Sequence, residues 1–314
     1  MGGMTRFDAE RGLLFVDETD DGRRLDRLLI SRLKKPGDLV RRLIRRGNVR
    51  VNRKRAKPGT RVHAGDVVFV PASLRRPDSP DQPPPPSLVA QASQWPVLFE
   101  DDTALALAKP AGIPVHAGSE HPWGVIELLR ACREDPTLTL AHRLDRETSG
   151  VLLIAKGAKY ARFFADAFAA RKTEKVYLAW AEGIPEVHEG VIFSHLRKGQ
   201  GPQAKMRIAK LGKPARTRWR LVLPWPHSAP PVALLALFPE SGRTHQLRVQ
   251  LAEIGHPILG DRRYGSETAV ALWRAHELPG IALHAWRLVI PHPKGGALQL
   301  APPPPRAWRS LLGA

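Results

Sequence analysis

The sequence predicts an α+β fold with a mainly antiparallel mixed sheet, preceded by a small N-terminal α/β domain. In the larger part of the chain, strand-like segments outnumber helical ones and several follow one another directly, which favours antiparallel pairing. A segment very rich in proline separates the two parts, because proline at that density is incompatible with helix and sheet interiors. With 314 residues, 43% of them hydrophobic, the chain is long enough for one large core and one small core.

The proline-rich segment divides the chain into four stretches. Residues 1–21 carry acidic residues early and no long apolar run, so we expect a loose N-terminal extension. Residues 22–70 are the small domain, residues 71–94 are a stiff, extended linker, and residues 95–314 are the large domain. A second proline run, "APPPPRAW", lies near the C-terminus, and we expect it to pack on the surface as a tail.

The small domain is predicted to contain two helices followed by short strands. Leucines recur at helical spacing in "RRLDRLLISRLKK", and "DLVRRLIRRG" combines an apolar stripe with four arginines before Gly47, a helix stop. "VRVN" and "DVVFV" alternate as strands do, with a turn-rich segment between them.

Basic residues cover the second helix and the strand and turn after it. Such a face could simply be solvated, but like charges at this density repel one another, and the chain carries 49 Lys+Arg against 30 Asp+Glu, a formal net charge of +19. A phosphate backbone relieves that repulsion, so the sequence favours nucleic-acid binding over a merely basic surface. The predicted RNA-binding residues are Arg41, Arg42, Arg45, Arg46, Arg50, Arg53 and Lys54.

The large domain alternates strands and helices. Strand-like segments are "TALALAK", "VLLIAK", "EKVYLAWAEG" and "PPVALLALF". Helical spacing appears in "GVIELLRAC", "GAKYARFFADAFAARK" and "THQLRVQLAEIG".

Several function classes lose support. The chain has no phosphate-binding loop motif, no G-x-S-x-G and no H-E-x-x-H. One cysteine cannot form a disulfide, and the 12 histidines lack the spacing of a metal site. No apolar run approaches the roughly 20 residues of a membrane span, and no signal peptide is evident. We therefore expect a cytoplasmic protein with no metal and no membrane partner.

Two polar clusters remain as candidates for chemistry. "HRLDRETSG" (142–150) places Asp145 between Arg143 and Arg146, directly before a buried strand, and the second cluster is "SGRTHQLRVQLAEIGHPILGDRRYG" (241–265). An arginine beside a carboxylate favours its ionised form, as a nucleophile requires. Structural ion pairs are also common, so these residues alone leave a solvated loop and a catalytic acid both open.

"HRLDRETSGVLLIAK" resembles the signature of the RluA-type RNA pseudouridine synthase family. "AKPAGIPVH", "KVYLAWAEG", "GRTHQLRV", "GHPILGDRRYG" and "LHAWRL" are similar to that family's motifs in order and spacing, across residues 95–292. Residues 22–70 resemble the S-four-like RNA-binding domain that often precedes this catalytic domain. The chain departs from the pattern at Gln250, where many relatives have histidine, and in its longer linker.

The resemblance implies isomerisation of uridine to pseudouridine in RNA, with no cofactor and no metal. Asp145 aligns with the catalytic aspartate, which cleaves or weakens the glycosidic bond before the uracil rotates and reattaches through carbon 5. Arg243 aligns with the arginine that pairs with it, and Tyr177 with the tyrosine that stacks on the base and takes the proton from carbon 5. Leu283 matches an apolar wall of the pocket. The alternatives without a functional role are that Tyr177 is an ordinary strand residue and that Leu283 only packs in the core.

The same resemblance assigns roles around the aspartate. The target uridine must leave its stack, which costs a few kcal/mol, and Arg143 is the candidate to fill the gap. His142 and Thr148 are expected to shape the loop and the substrate site, and His245 to support Arg243.

The expected partner is RNA, large-subunit ribosomal RNA before transfer RNA, bound by a monomer. One rival is a non-catalytic RNA-binding or ribosome-assembly factor on a decayed synthase fold, although every expected polar residue is present. A DNA-binding regulator would need a dimerising recognition helix, and the sequence contains none.

Overall fold

In a computed structural model the chain divides into two compact units, Met1–Gln82 and Pro83–Ala314. The structure describes residues 6–8, 10–33, 35, 37–75, 83–118, 121–199 and 205–312. Among these residues, no helix combines the length and the apolar character needed to cross a membrane.

The N-terminal unit is a small sheet with two helices against its core. Its elements are β1 (Arg6–Asp8), β2 (Leu13–Phe15), α1 (Leu25–Leu33), α2 (Gly37–Arg45), β3 (Arg50–Val51), β4 (Lys54–Arg55), β5 (Val67–Phe69) and α3 (Ala72–Arg75). The strands pair antiparallel in the order β1-β2-β5-β3-β4. Leucines of α1 and alternate residues of β2 and β5 share one core, and Gly47 follows α2 with φ of +75°, as a helix-ending glycine does.

The expectation that residues 1–21 are a loose extension is wrong for the part that the structure describes. Strands β1 and β2 belong to the sheet, and Leu14 and Val16 are buried. Pairing with β5, more than fifty residues later in the chain, supplies the partner that this short segment lacks by itself.

The larger unit contains one extended sheet with helices packed on it. Its helices are α4 (Pro86–Ser93), α5 (Val125–Cys132), α6 (Ala158–Ala169), α7 (Gln246–Glu253) and α8 (Glu267–Ala275). Its strands are β6 (Val97–Glu100), β7 (Ala104–Lys109), β8 (Leu138–Leu140), β9 (Ser149–Lys156), β10 (Glu174–Glu182), β11 (Glu189–Lys198), β12 (Met206–Ile208), β13 (Lys213–Trp225), β14 (Val232–Pro239), β15 (Leu283–Pro291) and β16 (Ala297–Leu300).

The sheet order is β12-β11-β13-β14-β10-β15-β9-β7-β6, with β16 paired to β15 and β8 paired to β9. Only the β9–β15 pair is parallel among the described strands, so the predicted mainly antiparallel α+β architecture is confirmed. At that pair Gly150 has φ of +113°, and a Cβ there would lie 2.3 Å from the Ala285 carbonyl oxygen. Glycine is therefore needed where the loop of residues 142–148 enters the sheet.

The two proline-rich segments are more ordered than expected where the structure describes them. At the ends of the expected 71–94 linker, Leu74 of α3 and Ala92 of α4 are buried, and residues 76–82 lie outside the described residues. The C-terminal segment forms a 3₁₀ helix at Arg306–Leu312, whose Trp308 and Leu311 enter the main core. These apolar side chains, not the prolines, decide the local structure.

Helix α7 is fixed to the sheet by a buried amide. Gln250 is fully buried, accepts a hydrogen bond from Thr217 Oγ1 (2.6 Å) and donates to Ser194 Oγ (2.9 Å) and to the Ala215 carbonyl oxygen (3.1 Å). The departure from the family pattern at Gln250 therefore serves packing, and it sets the rotation of α7 over β11 and β13.

His284 ties the C-terminal segment to the β9–β15 junction. Its Nε2–H donates to the Pro302 carbonyl oxygen (3.4 Å), which leaves Nδ1 to accept from Ser149 Oγ (2.8 Å). The side chain is 3% exposed, and burial lowers the pKa of His284 to about 4.

We expect acid to destabilise the protein through His284. Between pH 6.5 and 4 the unfolded chain binds a proton at this histidine that the folded chain does not, so stability falls as the pH drops. From pH 7 to pH 5 the loss is about 2 kcal/mol. Urea denaturation at both pH values should show a loss about 2 kcal/mol smaller in His284→Gln than in the wild type. Part of the acid loss remains in the variant, because burial also lowers the pKa of His142 to about 4. His188→Gln, which removes an exposed histidine, should keep the wild-type difference, and equal behaviour of both variants would contradict the assignment.

Candidate active site

A cavity of about 200 Å³ in the larger unit brings the predicted catalytic residues together. The loop between β8 and β9 supplies one wall, β10 and β15 supply a second, and the segment leading into α7 closes a third. The predicted residues that line it are Arg143, Asp145, Thr148, Tyr177, Arg243, His245 and Leu283.

The arginine that pairs with Asp145 is Arg248, and the prediction of Arg243 for this contact is wrong. Arg248 Nη1 lies 3.3 Å from Asp145 Oδ2. Arg243 is exposed and lines the cavity, without an ion pair to Asp145 in the described part of the chain. The reason is local: α7 begins at Gln246, so Arg243 precedes the helix, whereas Arg248 lies on its buried face.

Arg248 is held by a second acid, Asp261, which the sequence reasoning missed. Its Nε and Nη2 donate to the two Asp261 oxygens at 2.7 and 2.8 Å, a bidentate pair. Asp261 is fully buried and Arg248 is 6% exposed. Burial acts to lower the pKa of Arg248, but its hydrogen bond to Asp261 and the charges of Asp261 and Asp145 outweigh burial and raise it. A buried acid requires a buried cation, but nothing in the sequence "GHPILGDRRYG" indicates that Asp261 is buried.

His245 lies on the other side of the carboxylate. Its Nε2 is 3.9 Å from Asp145 Oδ2, and Tyr264 Oη lies 2.8 Å from its Nδ1. Burial lowers the pKa of His245, against the opposing charge of Asp145, so the ring is neutral at neutral pH. The His245 backbone has φ of +52°, which makes a tight turn directly before α7. The ring lies beside Asp145, so the prediction that it supports Arg243 is wrong.

Tyr177 and Leu283 form the apolar side of the cavity. They come from the adjacent strands β10 and β15. Burial and the nearby charge of Asp145 raise the pKa of Tyr177 well above its usual range. The side chain is therefore a neutral phenol whose ring faces the cavity.

A buried lysine fixes the loop that carries Asp145. Lys109 is 1% exposed, and its Nζ donates to the carbonyl oxygens of Pro110 (2.7 Å), Ile113 (2.8 Å) and Arg146 (3.1 Å). Burial lowers the pKa of Lys109 to about 7, with the charges of Glu147 and Asp145 acting in the opposite direction. The segment "KPAG" (109–112) thereby holds Arg146, the residue directly after Asp145.

The remaining loop residues divide between structure and surface. Thr148 is buried, and its backbone N–H donates to the Asp145 carbonyl oxygen (3.1 Å), in agreement with a loop-shaping role. His142 does not line the cavity: its Nε2 accepts from the Leu153 N–H (3.0 Å), and burial lowers its pKa to about 4. His142 therefore supports the loop, and the expectation that it also belongs to the substrate site is wrong. Arg143 is exposed beside the cavity.

The basic residues predicted in the N-terminal unit lie on its surface. Six are exposed and Arg41 is half-buried. The β3–β4 hairpin lies beside the end of α2, because Arg55 Nη2 donates to the Arg45 carbonyl oxygen (3.4 Å). The exposed residues are Arg42, Arg45, Arg46, Arg50, Arg53 and Lys54.

No group of three or more His, Cys, Asp or Glu residues that could hold a metal ion occurs in the described ranges. The cavity near Asp145 accordingly consists of one carboxylate, arginines, a neutral histidine and a neutral phenol. Such a site can orient a carboxylate against a flat, uncharged group and surround it with positive charge.

Two family models and several known proteins match the chain. The RNA pseudouridylate synthase family matches residues 103–253, and the S4 domain matches residues 23–68. The ribosomal large subunit pseudouridine synthase C of Haemophilus influenzae is 37% identical over 289 residues, which is 90% of this chain and 88% of that protein. The protein of that name from Salmonella typhimurium is 38% identical over 308 residues, 96% of this chain and 95% of its own.

Solved structures lead to the same fold. Human RNA pseudouridylate synthase domain containing 4 superposes with a TM-score of 0.59 at 26% identity, covering 72% of this chain and 96% of its own. Human RNA pseudouridylate synthase domain containing 1 gives 0.58 at 26% identity, covering 68% and 84%.

Replacing the two arginines one at a time distinguishes their roles. Arg248→Ala leaves the buried Asp261 without its counter-charge, and we expect the free energy of unfolding to fall by about 3–5 kcal/mol. Arg243→Ala removes an exposed side chain and should change it by less than about 0.5 kcal/mol. Urea denaturation of both variants measures the difference, and equal destabilisation would show that the pairing is wrong.

Proposed function

The chain belongs to the RNA pseudouridylate synthase family, and from this premise we propose that it isomerises specific uridines of large-subunit ribosomal RNA, with Asp145 as the catalytic residue. The observation that carries the proposal is the contact between Asp145 and the buried Arg248 inside a cavity also lined by Tyr177. The relatives named as ribosomal large subunit synthases, similar over most of the chain, support the choice of RNA.

Asp145 is the only acidic side chain that lines the cavity among the described residues. The reaction conserves atoms: the bond between C1′ and N1 breaks, the bond between C1′ and C5 forms, C5 gives up a proton and N1 gains one. A carbon–carbon bond replaces a carbon–nitrogen bond, so the reaction needs no external source of energy. The carboxylate acts at the glycosidic bond while Arg248 keeps it in one orientation, as preorganised electrostatic catalysis requires.

Tyr177 and Leu283 fit a detached uracil. An aromatic ring and an aliphatic wall can hold a flat base by stacking and apolar contact. Neither side chain carries a charge that would fix the base in one orientation, so the detached uracil can rotate. The raised pKa of Tyr177 disfavours a phenolate, so contact with the base is the role we assign first. A neutral phenol is a weak acceptor for the proton of C5.

Arg143 is suited to fill the gap left by the uridine. It is exposed, lies two residues before Asp145 and lines the cavity, so it is beside any base that enters. The planar guanidinium can stack on the neighbouring bases, which would offset part of the cost of flipping.

The N-terminal unit supplies a sequence-independent contact with the RNA. Its exposed arginines and Lys54 can neutralise phosphates, and the match to the S4 domain supports this role. The aspartate, its arginine and the tyrosine come from one chain, which supports a monomer as the working unit. A ribosomal RNA target also favours the cytoplasm as its location.

We expect Asp145→Asn to abolish pseudouridine formation while RNA binding persists. The amide keeps the shape of the side chain and removes its charge, and Arg248 remains paired with Asp261, so the fold and the cavity survive. Release of tritium from RNA labelled at uracil C5 measures the reaction, and filter binding measures affinity.

Asp166→Asn is the matched control, because that carboxylate lies on exposed α6 and should keep full activity. An active Asp145→Asn enzyme would rule out the assigned role. A wild type that releases no tritium from large-subunit ribosomal RNA but does so from transfer RNA would overturn the choice of RNA.

The β3–β4 turn offers a test of RNA binding that does not weaken the fold. Asn52 and Arg53 have φ of +48° and +66°, a turn in which the second position favours glycine. Arg53→Gly should therefore leave stability unchanged or raised by up to about 1 kcal/mol. It should weaken RNA binding and reduce the slope of log affinity against log salt by about 1.

Arg171→Gly is its matched control: Arg171 is also exposed, also has positive φ (+56°) and also loses one charge, but lies at the end of α6 in the larger unit. Binding isotherms at several salt concentrations compare the two. If RNA affinity falls equally in both variants, the net charge of the protein explains the effect and the β3–β4 hairpin makes no specific contact.

A further inference from the structure

A second cavity, of about 460 Å³, neighbours the one that Asp145 lines. Arg248 lines both cavities, so its guanidinium forms a shared wall. Asp145, Tyr177 and Leu283 do not line the second cavity, and its chemistry is that of an anion site.

Five arginines and two acids line this cavity, an excess of three positive charges. Arg248 is neutralised by Asp261 and Asp145, and Arg146 is hydrogen-bonded to Glu147 and His121. The guanidinium groups of Arg262 and Arg274 are exposed and have no hydrogen bond or ion pair within the described part of the chain. Two guanidinium groups without an acid, around one cavity, favour an anionic ligand with several oxygen atoms.

The indole of Trp273 forms a buried part of the wall. Trp273 is 3% exposed, and its Nε1–H has no acceptor among the described residues. Gly260 lies against the same ring: a Cβ at that position would be 2.3 Å from Trp273 Cδ1. Gly260 therefore covers the pyrrole edge of the indole and fixes the position of the ring in the wall.

We propose that this cavity binds a backbone phosphate of the substrate RNA next to the flipped uridine, through Arg262 and Arg274. The inference rests on the proposed function, since it places the reacting nucleotide in the neighbouring cavity. A nucleotide that leaves the stack takes its flanking phosphates with it, and these carry charge into the protein beside Asp145. Arg248 lines both cavities, so its positive charge lies near the phosphate as well as near the carboxylate.

The test is steady-state tritium release from a large-subunit ribosomal RNA transcript labelled at uracil C5. In Arg262→Ala/Arg274→Ala we expect KM to rise about tenfold or more, because charge-assisted hydrogen bonds to the phosphate are lost, while kcat stays within about twofold. The salt dependence of kcat/KM should also become shallower. Arg306→Ala/Arg309→Ala removes the same charge from exposed positions of the C-terminal helix and should behave as the wild type.

Equal KM values for the two double variants would overturn the proposal while leaving the proposed function intact. A wild type that releases no tritium would instead remove the proposed function. Arg262→Lys/Arg274→Lys, which keeps the charge and loses the planar fork, should have an intermediate KM.

Once the modified uridine is mapped, RNA fragments with one uncharged methylphosphonate linkage identify the phosphate. Replacing one of the two flanking linkages should weaken binding to the wild type about tenfold and have no further effect on Arg262→Ala/Arg274→Ala. If neither flanking linkage shows this loss of additivity, the cavity holds a distant or free phosphate and the proposal is wrong.

Discussion

The pair formed by Arg248 and the buried Asp261 is the constraint on which the catalytic cavity depends. A fully buried carboxylate is tolerated only with a well-placed cation, and the bidentate contact uses the Nε and Nη2 edge of the Arg248 guanidinium. The remaining Nη1 edge is directed at Asp145. Asp261 thus acts on Asp145 through the arginine, fixing its orientation although it lies outside the cavity lining.

Holding the arginine in this way requires several layers of support. Gln250, one turn from the start of α7, fixes the helix to β11 and β13 through buried hydrogen bonds. Lys109 holds the facing loop by three backbone carbonyl oxygens. Gln250 and Lys109 are both buried, and protein groups satisfy their hydrogen bonds. The spacing between Asp145 and Arg248 is therefore set by the fixed positions of helix α7 and of the loop that carries Asp145.

Sequence patterns predicted the strands, the helices and most of the cavity lining, because long apolar periodicities and adjacent motifs are local signals. Local sequence signals could not decide whether Arg243 or Arg248 pairs with Asp145. Both lie in the motif "GRTHQLRV", and only the start of α7 at Gln246 decides which of them points inward. The contribution of Asp261 needed the same tertiary information, since a buried acid in a turn is indistinguishable from an exposed one in the sequence.

The errors at the chain ends have a related cause. Strands β1 and β2 have three residues each, too short for a periodic pattern, and they are stable only because β5 pairs with β2 from a distant part of the chain. At the C-terminus the prolines suggested a surface tail, yet Trp308 and Leu311 are buried in the main core, and Trp308 lies edge-on to His284. Burying two large apolar side chains outweighs the lack of regular structure around them, and this segment in turn buries the histidine at the junction that leads to the catalytic loop.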